Sequence, residues 1–305
     1  MTPSGIEGFV TREVTTDRGM VFCHVGGSGP PLLLLHGFPE TSLMWHGVAP
    51  LLASDFTVVA ADLPGYGRSE CPVDGEDHRA MSKRALASTL VKAMKALRYE
   101  TFAIIGHDRG GRVAYRAALD HPDSVTAVAV LDVVPTYEVW ERADARLALS
   151  FWPFSLLAQP APMPERLLLA APEAIIDNAL SEWGSPPETF PSWLREAYAA
   201  ALGDPVHVHA ICEDYRAAAG IDRDIDRADL ETGRRIRCPL LALWSDKGGL
   251  AEWYDDAGGP LGLWRRWAED VQGQAVSGGH FFPEEHPEET ASALRAFLQD
   301  RAIGY

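Results

Sequence analysis

Residues 104–111 read Ile-Ile-Gly-His-Asp-Arg-Gly-Gly and join an apolar run to an amphipathic one. The apolar run predicts a buried strand, and the amphipathic run predicts a helix. Between them, Gly106 and Gly110 flank Asp108 in a Gly-x-X-x-Gly turn. This arrangement matches the nucleophile elbow, in which the central side chain is held exposed on a strained bend above a sheet. The motif therefore predicts an α/β fold with Asp108 at a reactive position.

An aspartate at the centre of this turn predicts a different reaction from serine, which most proteins of this shape carry there. A serine needs a base to become reactive and attacks carbonyl carbons. A carboxylate is already ionised at neutral pH and can displace a leaving group from an sp3 carbon, which leaves a covalent ester. Asp108 therefore favours hydrolysis of a carbon–halogen bond or of an epoxide over hydrolysis of an ordinary ester.

Composition and charge exclude several classes of partner. The chain has 305 residues, 47% of them hydrophobic, and 27 basic against 43 acidic side chains give a net charge of −16. Nucleic acid and anionic membranes both require a basic surface, so neither is an expected partner. No stretch approaches the length of a membrane span, and residues 1–9 lack the features of a signal peptide. We expect a cytoplasmic protein with reduced thiols, since the cysteines are widely spaced: Cys23, Cys71, Cys212 and Cys238.

The order of apolar runs predicts a mostly parallel sheet with helices on both faces and a helical insertion. Strand and helix patterns alternate through residues 1–134, which form the first part of the α/β core. Residues 135–226 show helical periodicity, many prolines and no convincing strand, so they are predicted to form a cap. The strand pattern returns in residues 227–305, the second part of the core.

The ends of the predicted strands carry the candidate catalytic residues, as expected for sites in open parallel sheets. His280 is the candidate base that activates water against an ester on Asp108. Asp132 is the candidate acid that orients His280, and Asp246 is its rival at the end of a later strand. The backbone N–H groups of Phe38 and Arg109 are the predicted oxyanion hole.

Two arginines indicate the charge of the substrate. Arg109 follows the nucleophile, and Arg112 lies three residues further on the same face of the predicted helix. Two guanidinium groups at this point can bind a carboxylate bidentately, so we expect a small-molecule carboxylate substrate. No metal or other cofactor is expected. The histidines and glutamates of residues 280–286 lack the spacing of a helical zinc motif, and the glycines of residues 26–29 lack the lysine of a phosphate loop.

Over nearly its whole length the chain resembles the α/β-hydrolase superfamily, and more narrowly the haloacetate (fluoroacetate) dehalogenases. The resemblance is carried by the following motifs: His-Gly-Phe-Pro at 36–39, Asp-Leu-Pro-Gly-Tyr-Gly at 62–67, Gly-His-Asp-Arg-Gly-Gly-Arg at 106–112, Leu-Asp-Val-Val-Pro-Thr-Tyr-Glu at 131–138, Leu-Ala-Gln-Pro-Ala-Pro at 157–162, Cys-Glu-Asp-Tyr-Arg-Ala at 212–217 and Gly-His-Phe at 279–281. It implies a homodimer. It also implies that Asp108 attacks the halogen-bearing carbon, that Arg109 and Arg112 hold the carboxylate, and that His280 with Asp132 drives ester hydrolysis. For this last reason Asp132 is preferred to Asp246.

The cap departs from this family at the site that receives the halide. The resemblance implies a His-Trp pair and a tyrosine there, and Tyr215 matches the tyrosine. Pro153 and Phe154 stand where the pair would be, and neither side chain has a hydrogen-bond donor. Trp152 is the nearest remaining donor, and Phe154 and Trp183 are further candidates to line the substrate pocket.

Fluoride needs several donors as it leaves carbon, because it is small, strongly hydrated and strongly bonded. We therefore expect weak or absent defluorination and retained displacement of chloride or bromide. The alternatives are an epoxide hydrolase, with two of Tyr137, Tyr198 and Tyr215 as acids, and a hydrolase fold used only to bind a ligand.

Overall fold

The computed structural model describes residues 5–72, 75 and 77–302. Its eight strands form one sheet in the order β1-β2-β4-β3-β5-β6-β7-β8. The strands are β1 (Val10–Thr16), β2 (Gly19–Gly27), β3 (Pro31–Leu35), β4 (Thr57–Ala61), β5 (Phe102–His107), β6 (Val125–Leu131), β7 (Leu240–Ser245) and β8 (Val271–Val276). β2 pairs antiparallel with β1 and β4, and all other pairs are parallel. The mostly parallel sheet that the sequence predicts is confirmed.

The helices around the sheet come from the residues before and after the segment 135–226. They are α1 (Val48–Leu52), α2 (Lys83–Ala96), α3 (Asp108–Asp120), α12 (Leu250–Trp253), α13 (Gly259–Trp267), α14 (Phe282–Glu285) and α15 (Pro287–Ala302). α2 and α3 pack against each other, and α1 packs against α15. The central strands are buried almost throughout, which requires cover on both faces of the sheet and explains their nearly continuous apolar sequences.

Residues 135–226, all of which the structure describes, contain helices and no strand. The helices of this segment are α4 (Thr136–Glu141), α5 (Ala145–Ser150), α6 (Trp152–Leu156), α7 (Met163–Ala170), α8 (Pro172–Trp183), α9 (Ser192–Ala201), α10 (Pro205–Ala219) and α11 (Ile221–Glu231). The predicted end of the cap at residue 226 falls inside α11. None of the helices in the described part of the chain combines the length and the apolar character that a membrane span needs.

Short 3-10 helices complete the fold. They cover Ser42–His46, Arg79–Met81, Pro187–Thr189 and Asp255–Ala257. The carboxyl ends of the parallel strands β3, β5, β6 and β7 lie side by side, because the register pairs Leu35 with Gly106 and His107 with Leu131. Residues that follow these strands therefore meet at one edge of the sheet, where the helical segment between β6 and β7 also begins.

Candidate active site

Asp108 lies on the sharp turn between β5 and α3 that the sequence predicts. Its φ of 43° is in the left-handed region, which costs a residue with a side chain on the order of 1 kcal/mol. The turn closes only because its flanking residues are glycines. A Cβ on Gly106 would collide with the carbonyl group of Gly110, and one on Gly110 would collide with the carbonyl of His36. The local sequence thus presents the Asp108 carboxylate above the sheet edge.

The Asp108 carboxylate is held by one backbone group and by surrounding positive charge. The amide of Phe38 donates a hydrogen bond to Oδ2 of Asp108 at 3.0 Å. Burial opposes ionisation of Asp108, but His280, Arg109 and Arg112 outweigh it and keep the pKa of the carboxyl below its ordinary value. Asp108 is therefore an ionised carboxylate at neutral pH, as a nucleophile must be.

His280 pairs with Asp132 and not with Asp246. Nδ1 of His280 donates to Oδ2 of Asp132 at 2.6 Å, and Oδ1 of Asp132 accepts from the amide of Ser245 at 2.9 Å. Asp246 instead accepts a hydrogen bond from the amide of Gly278 at 3.2 Å. The structure therefore supplies geometric support for Asp132, which the sequence preferred only through a family resemblance.

The two predicted oxyanion donors differ in the contacts that they make. The Phe38 amide already points at Oδ2 of Asp108, the atom that would carry negative charge during ester hydrolysis. Among the hydrogen bonds of the described residues, the amide of Arg109 makes none to the Asp108 carboxylate. The Phe38–Pro39 peptide bond is cis.

A narrow cavity lies over Asp108. Its volume of about 20 Å³ is enough for about one water molecule. It is lined by Asp108, Arg112, Asp132, Val139, Leu147, Phe151, Phe154, Leu250, Trp253, Tyr254 and His280. A groove of about 530 Å³ lies beside it and shares Asp132, Phe151, Trp253 and His280 as lining residues. The polar groups are thus gathered around Asp108, His280 and Arg112, and the remaining walls are mainly apolar.

Arg112 lines this cavity as predicted. Its Nη1 donates to the carbonyl of Val134 at 3.0 Å and to Oγ1 of Thr136 at 3.3 Å. Its buried Nε has no hydrogen-bond partner among the described residues. A buried guanidinium N–H without a partner is costly, so this group indicates a missing anionic or polar ligand.

Arg109 departs from the prediction that both guanidinium groups face the substrate freely. Its Nε donates to Oδ2 of Asp214 at 2.7 Å, its Nη2 donates to the Asp214 carbonyl at 2.9 Å, and the ring of Tyr215 covers it at 3.9 Å. Arg109 is wholly buried and does not line the cavity. Only Nη1 remains without a partner in the described part of the chain. The physical reason is Asp214, a cap carboxylate buried against the elbow helix.

The predicted cap residues separate into two groups. Phe154 lines the cavity, 5.1 Å from the Arg112 guanidinium to its ring centroid, and Tyr215 packs edge-on against Phe154 and Phe38. Trp152 and Trp183 line the outer groove instead of the cavity over Asp108.

The indole groups of these two tryptophans are already hydrogen-bonded within the cap. Trp152 donates to Oδ1 of Asn178 at 3.3 Å, and Trp183 donates to the carbonyl of Ser150 at 2.8 Å. These bonds hold both rings over the outer groove. Trp152, the nearest remaining donor in the sequence, therefore directs its N–H at Asn178 and does not line the cavity over Asp108.

Several lining residues escaped sequence reasoning. Trp253 and Tyr254 follow the carboxyl end of β7, so the strand-end rule could have indicated them. Phe151 also lines the cavity and packs edge-on against His280, with ring centroids 5.6 Å apart. Burial raises the pKa of Tyr254 to about 12, so its phenol is neutral and able to donate a hydrogen bond.

Behind the nucleophile, Glu40 and Glu284 form a buried carboxyl pair. Burial raises the pKa of both carboxyl groups, and they lie close enough to affect each other's ionisation, which favours a proton on the pair. Glu40 Oε2 also accepts from the amide of Gly37 at 3.1 Å and contacts Nδ1 of His107 at 3.0 Å. On the other side, Tyr198 of the cap donates to Oε1 of Glu284 at 2.9 Å. The pair thus joins the Phe38 loop, the elbow and the cap.

Replacement of Glu40 by Gln should change how stability depends on pH. Burial raises the pKa of Glu40 from 4.5 to about 7, so the folded state binds more protons than the unfolded state between these values. Stability contributed by the protonated group is therefore lost as pH rises through this window. In urea unfolding, the free energy of unfolding of Glu40→Gln should increase relative to that of wild type by up to about 3 kcal/mol between pH 5 and pH 8. Exposed Glu289→Gln is the control, and a difference that does not change with pH would contradict the shared proton.

Among the residues that the structure describes, no three His, Cys, Asp or Glu side chains group in a way that could hold a metal ion. The two glutamates after His280 are engaged elsewhere, Glu284 with Tyr198 and Glu285 with Ser185 at 2.6 Å.

An aspartate on an elbow, a histidine–aspartate pair beside it and a helical segment between β6 and β7 are the features of an α/β-hydrolase. A family model of the alpha/beta hydrolase fold matches residues 30–159. The chain is 42% identical over 299 residues to a fluoroacetate dehalogenase from Burkholderia sp, covering 98% of this chain and 96% of that protein. The chain belongs to the alpha/beta hydrolase family.

Two further relatives agree with this assignment. A soluble epoxide hydrolase from Corynebacterium sp. (strain C12) is 30% identical over 297 residues, covering 92% of this chain and 95% of that protein. The crystal structure of a provisionally assigned alpha/beta hydrolase from Nostoc sp PCC 7120 superposes with a TM-score of 0.91 at 44% identity. It covers 95% of this chain and 98% of that chain.

Proposed function

We propose that this protein is a hydrolytic dehalogenase of short 2-halocarboxylic acids that works through an ester on Asp108. The observation that carries the proposal is an ionised Asp108 in one cavity with Arg112, whose buried Nε has no partner within the described part of the chain. Asp108, Arg112 and His280 line one cavity, so an acid bound there would contact the nucleophile, a cation and the base together. The likeness to a fluoroacetate dehalogenase over nearly the whole chain supports the same substrate class.

In the first step, an Asp108 carboxylate oxygen attacks the carbon that bears the halogen. A carbon–oxygen bond forms, the carbon–halogen bond breaks, and the halide leaves with the bonding electron pair. The guanidinium of Arg112 holds the substrate carboxylate, and the buried positive charge of Arg109 assists by attracting it. The positive charge of Arg109 and Arg112 also offsets the repulsion between the substrate carboxylate and the carboxylate of Asp108.

In the second step, His280 takes a proton from water, whose oxygen attacks the carbonyl carbon of the Asp108 ester. The Phe38 amide, 3.0 Å from Oδ2, stabilises the oxyanion that forms. Asp132 stabilises the imidazolium through its 2.6 Å hydrogen bond. Collapse of the intermediate releases a 2-hydroxy acid, returns the proton and regenerates Asp108 with one oxygen from water.

The lining of the cavity determines which halide can leave. Phe154 lines it without offering a donor, and the Trp152 N–H is bonded to Asn178. Fluoride depends most on hydrogen bonds from the protein because it is the most strongly hydrated halide. We therefore propose faster loss of chloride and bromide than of fluoride, in spite of the likeness to a fluoroacetate dehalogenase.

Halide release from single substrates tests this function. Purified enzyme is offered fluoroacetate, chloroacetate, bromoacetate or styrene oxide, with Asp108→Ala as the blank. We expect chloride and bromide release at least about tenfold faster than fluoride release, equivalent to about 1.4 kcal/mol in the barrier. Fluoride release at the rate of chloride release would contradict the argument from Phe154. No halide release from any acid would contradict the proposed function.

Epoxide hydrolysis is the second candidate, because a soluble epoxide hydrolase is 30% identical over most of the chain. That reaction needs phenols over Asp108 to protonate the opening ring. Tyr254 lines the cavity and Tyr215 packs beside Phe154, whereas Tyr198 donates its proton to Glu284. Diol formation from styrene oxide, retained when Arg112 is replaced, would favour this function over dehalogenation.

The proposal also includes a homodimer, a cytoplasmic location and a division of the chain into core and cap. The resemblance to haloacetate dehalogenases suggests a homodimer. The four cysteines are all free thiols, as expected for a cytoplasmic protein. The division into a core of residues 1–134 and 227–305 and a cap of residues 135–226 remains part of the same proposal.

A further inference from the structure

A buried group of charges links the cap to Arg109. We call it the Asp214 cluster; it comprises Lys83 on α2, Arg109 on α3, Asp214 on α10, Asp222 on α11 and Tyr66. Each of these residues is at most 3% exposed. The cluster therefore joins two core helices to two helices of the inserted segment without help from solvent.

Asp214 is the centre of the Asp214 cluster. Its Oδ2 accepts from Arg109 Nε at 2.7 Å and from the Tyr66 hydroxyl at 2.9 Å. Its Oδ1 accepts from the ammonium group of Lys83. Burial opposes ionisation of Asp214, but the charges of Arg109 and Lys83 lower its pKa to about 2. Asp214 is thus a carboxylate shared between two cations.

Lys83 restricts how Arg109 can pair with this carboxylate. An arginine and a free carboxylate tend to form two parallel hydrogen bonds to both oxygens. Because Lys83 holds Oδ1, Arg109 reaches Oδ2 through Nε and turns Nη2 to the Asp214 carbonyl, 2.9 Å away. Nη1 is left buried and without a partner among the described residues.

Lys83 also controls how much of the Arg109 charge is neutralised. Asp222 contacts Lys83 only at 3.6 Å through Oδ2, and its Oδ1 accepts from the Lys83 amide at 2.8 Å. The Lys83 ammonium therefore takes part of the negative charge of Asp214 that would otherwise be directed at Arg109. Without it, Asp214 would compete fully with a substrate carboxylate for the guanidinium.

We propose that Lys83 is a positioning residue for substrate binding: by holding Asp214, it leaves a net positive charge on Arg109 that attracts the substrate carboxylate. The proposal rests on the proposed function, in which Arg109 assists Arg112 in binding that carboxylate. Neither Lys83 nor Arg109 lines the cavity over Asp108, so the effect of Lys83 passes through the charge of Arg109 and not through a contact with the substrate.

Steady-state kinetics of Lys83→Met test the proposal with chloroacetate and with neutral chloroacetamide. For chloroacetate, KM should rise about tenfold while kcat stays within about twofold of wild type. For chloroacetamide, kcat/KM should change by less than about twofold, because no carboxylate is bound. Lys83→Arg, which retains the charge, should restore most of the affinity for chloroacetate.

Two further variants control for folding. Lys83→Met with Asp222→Asn removes one charge of each sign and keeps Asp214, so it should fold and show the same rise in KM. Lys92 lies on the same helix as Lys83 and pairs with Asp17 at the exposed surface. Lys92→Met should therefore have the KM and kcat of wild type.

Equal losses on chloroacetate and chloroacetamide would overturn the proposal, because they would show that Lys83 only supports the fold. An unchanged KM for chloroacetate in both Lys83→Met variants would also overturn it. Failure of the dehalogenase assignment would appear in the wild type, as missing chloride release, and is thereby distinguished from failure of the role of Lys83.

Discussion

Asp108→Asn should abolish chloride release from chloroacetate, with a fall in rate of at least about 10⁴-fold. The amide keeps the shape of the carboxyl group and can still accept a hydrogen bond from the Phe38 amide. It lacks the negative charge that attacks carbon, so the ester cannot form. Chloride release at saturating substrate is the measurement, and circular dichroism verifies that the variant is folded.

Asp246→Asn is the matched control for this variant. Asp246 also follows a core strand, but it accepts from the Gly278 amide and does not contact His280. Its replacement should leave chloride release within about threefold of wild type. Chloride release by Asp108→Asn at the wild-type rate would exclude Asp108 as the nucleophile. A loss in Asp246→Asn as large as that in Asp132→Asn would mean that Asp246 orients His280.

His280→Gln should separate the two chemical steps. Attack by Asp108 does not need a base, so the first step should still occur. Hydrolysis of the ester needs His280 to take a proton from water, and its loss typically slows such a step by about 10²- to 10⁴-fold. The enzyme should release about one chloride per subunit in a burst and then nearly stop.

Rapid-quench measurement of chloride shows the burst directly. Asp132→Asn serves as the comparison, because it retains the imidazole but removes the 2.6 Å hydrogen bond that fixes Nδ1. It should turn over slowly and show a weaker burst. Continued turnover by His280→Gln at the wild-type rate would show that another group activates the water.

The sheet could be predicted from the sequence because its central strands are buried on both sides. The strand Val125–Leu131, for example, is buried at every position but one and is almost wholly apolar in sequence. Asp108 and His280 could be predicted for a related reason, since the strand ends and the flanking glycines define their positions locally. Both residues line the same cavity.

The hydrogen-bond partners of the site could not be predicted, because they depend on contacts between distant segments. Arg109 pairs with Asp214, which lies 105 residues away along the chain. The direction of the Trp152 indole depends on Asn178, a residue of another cap helix. The strand pattern alone likewise does not distinguish Asp132 from Asp246, because both acids follow a strand. The hydrogen bond of Asp132 to His280 depends on how adjacent strand ends pack.

The position of the covalent adduct tests the central claim most directly. His280→Gln is mixed with chloroacetate, quenched in acid, digested and sequenced by tandem mass spectrometry. We predict a carboxymethyl ester on Asp108, in the peptide that contains Gly106 and Gly110, and no adduct in Asp108→Asn with His280→Gln. Chloride release without an adduct on Asp108, or with an ester on another residue, would contradict a mechanism in which this aspartate is the nucleophile.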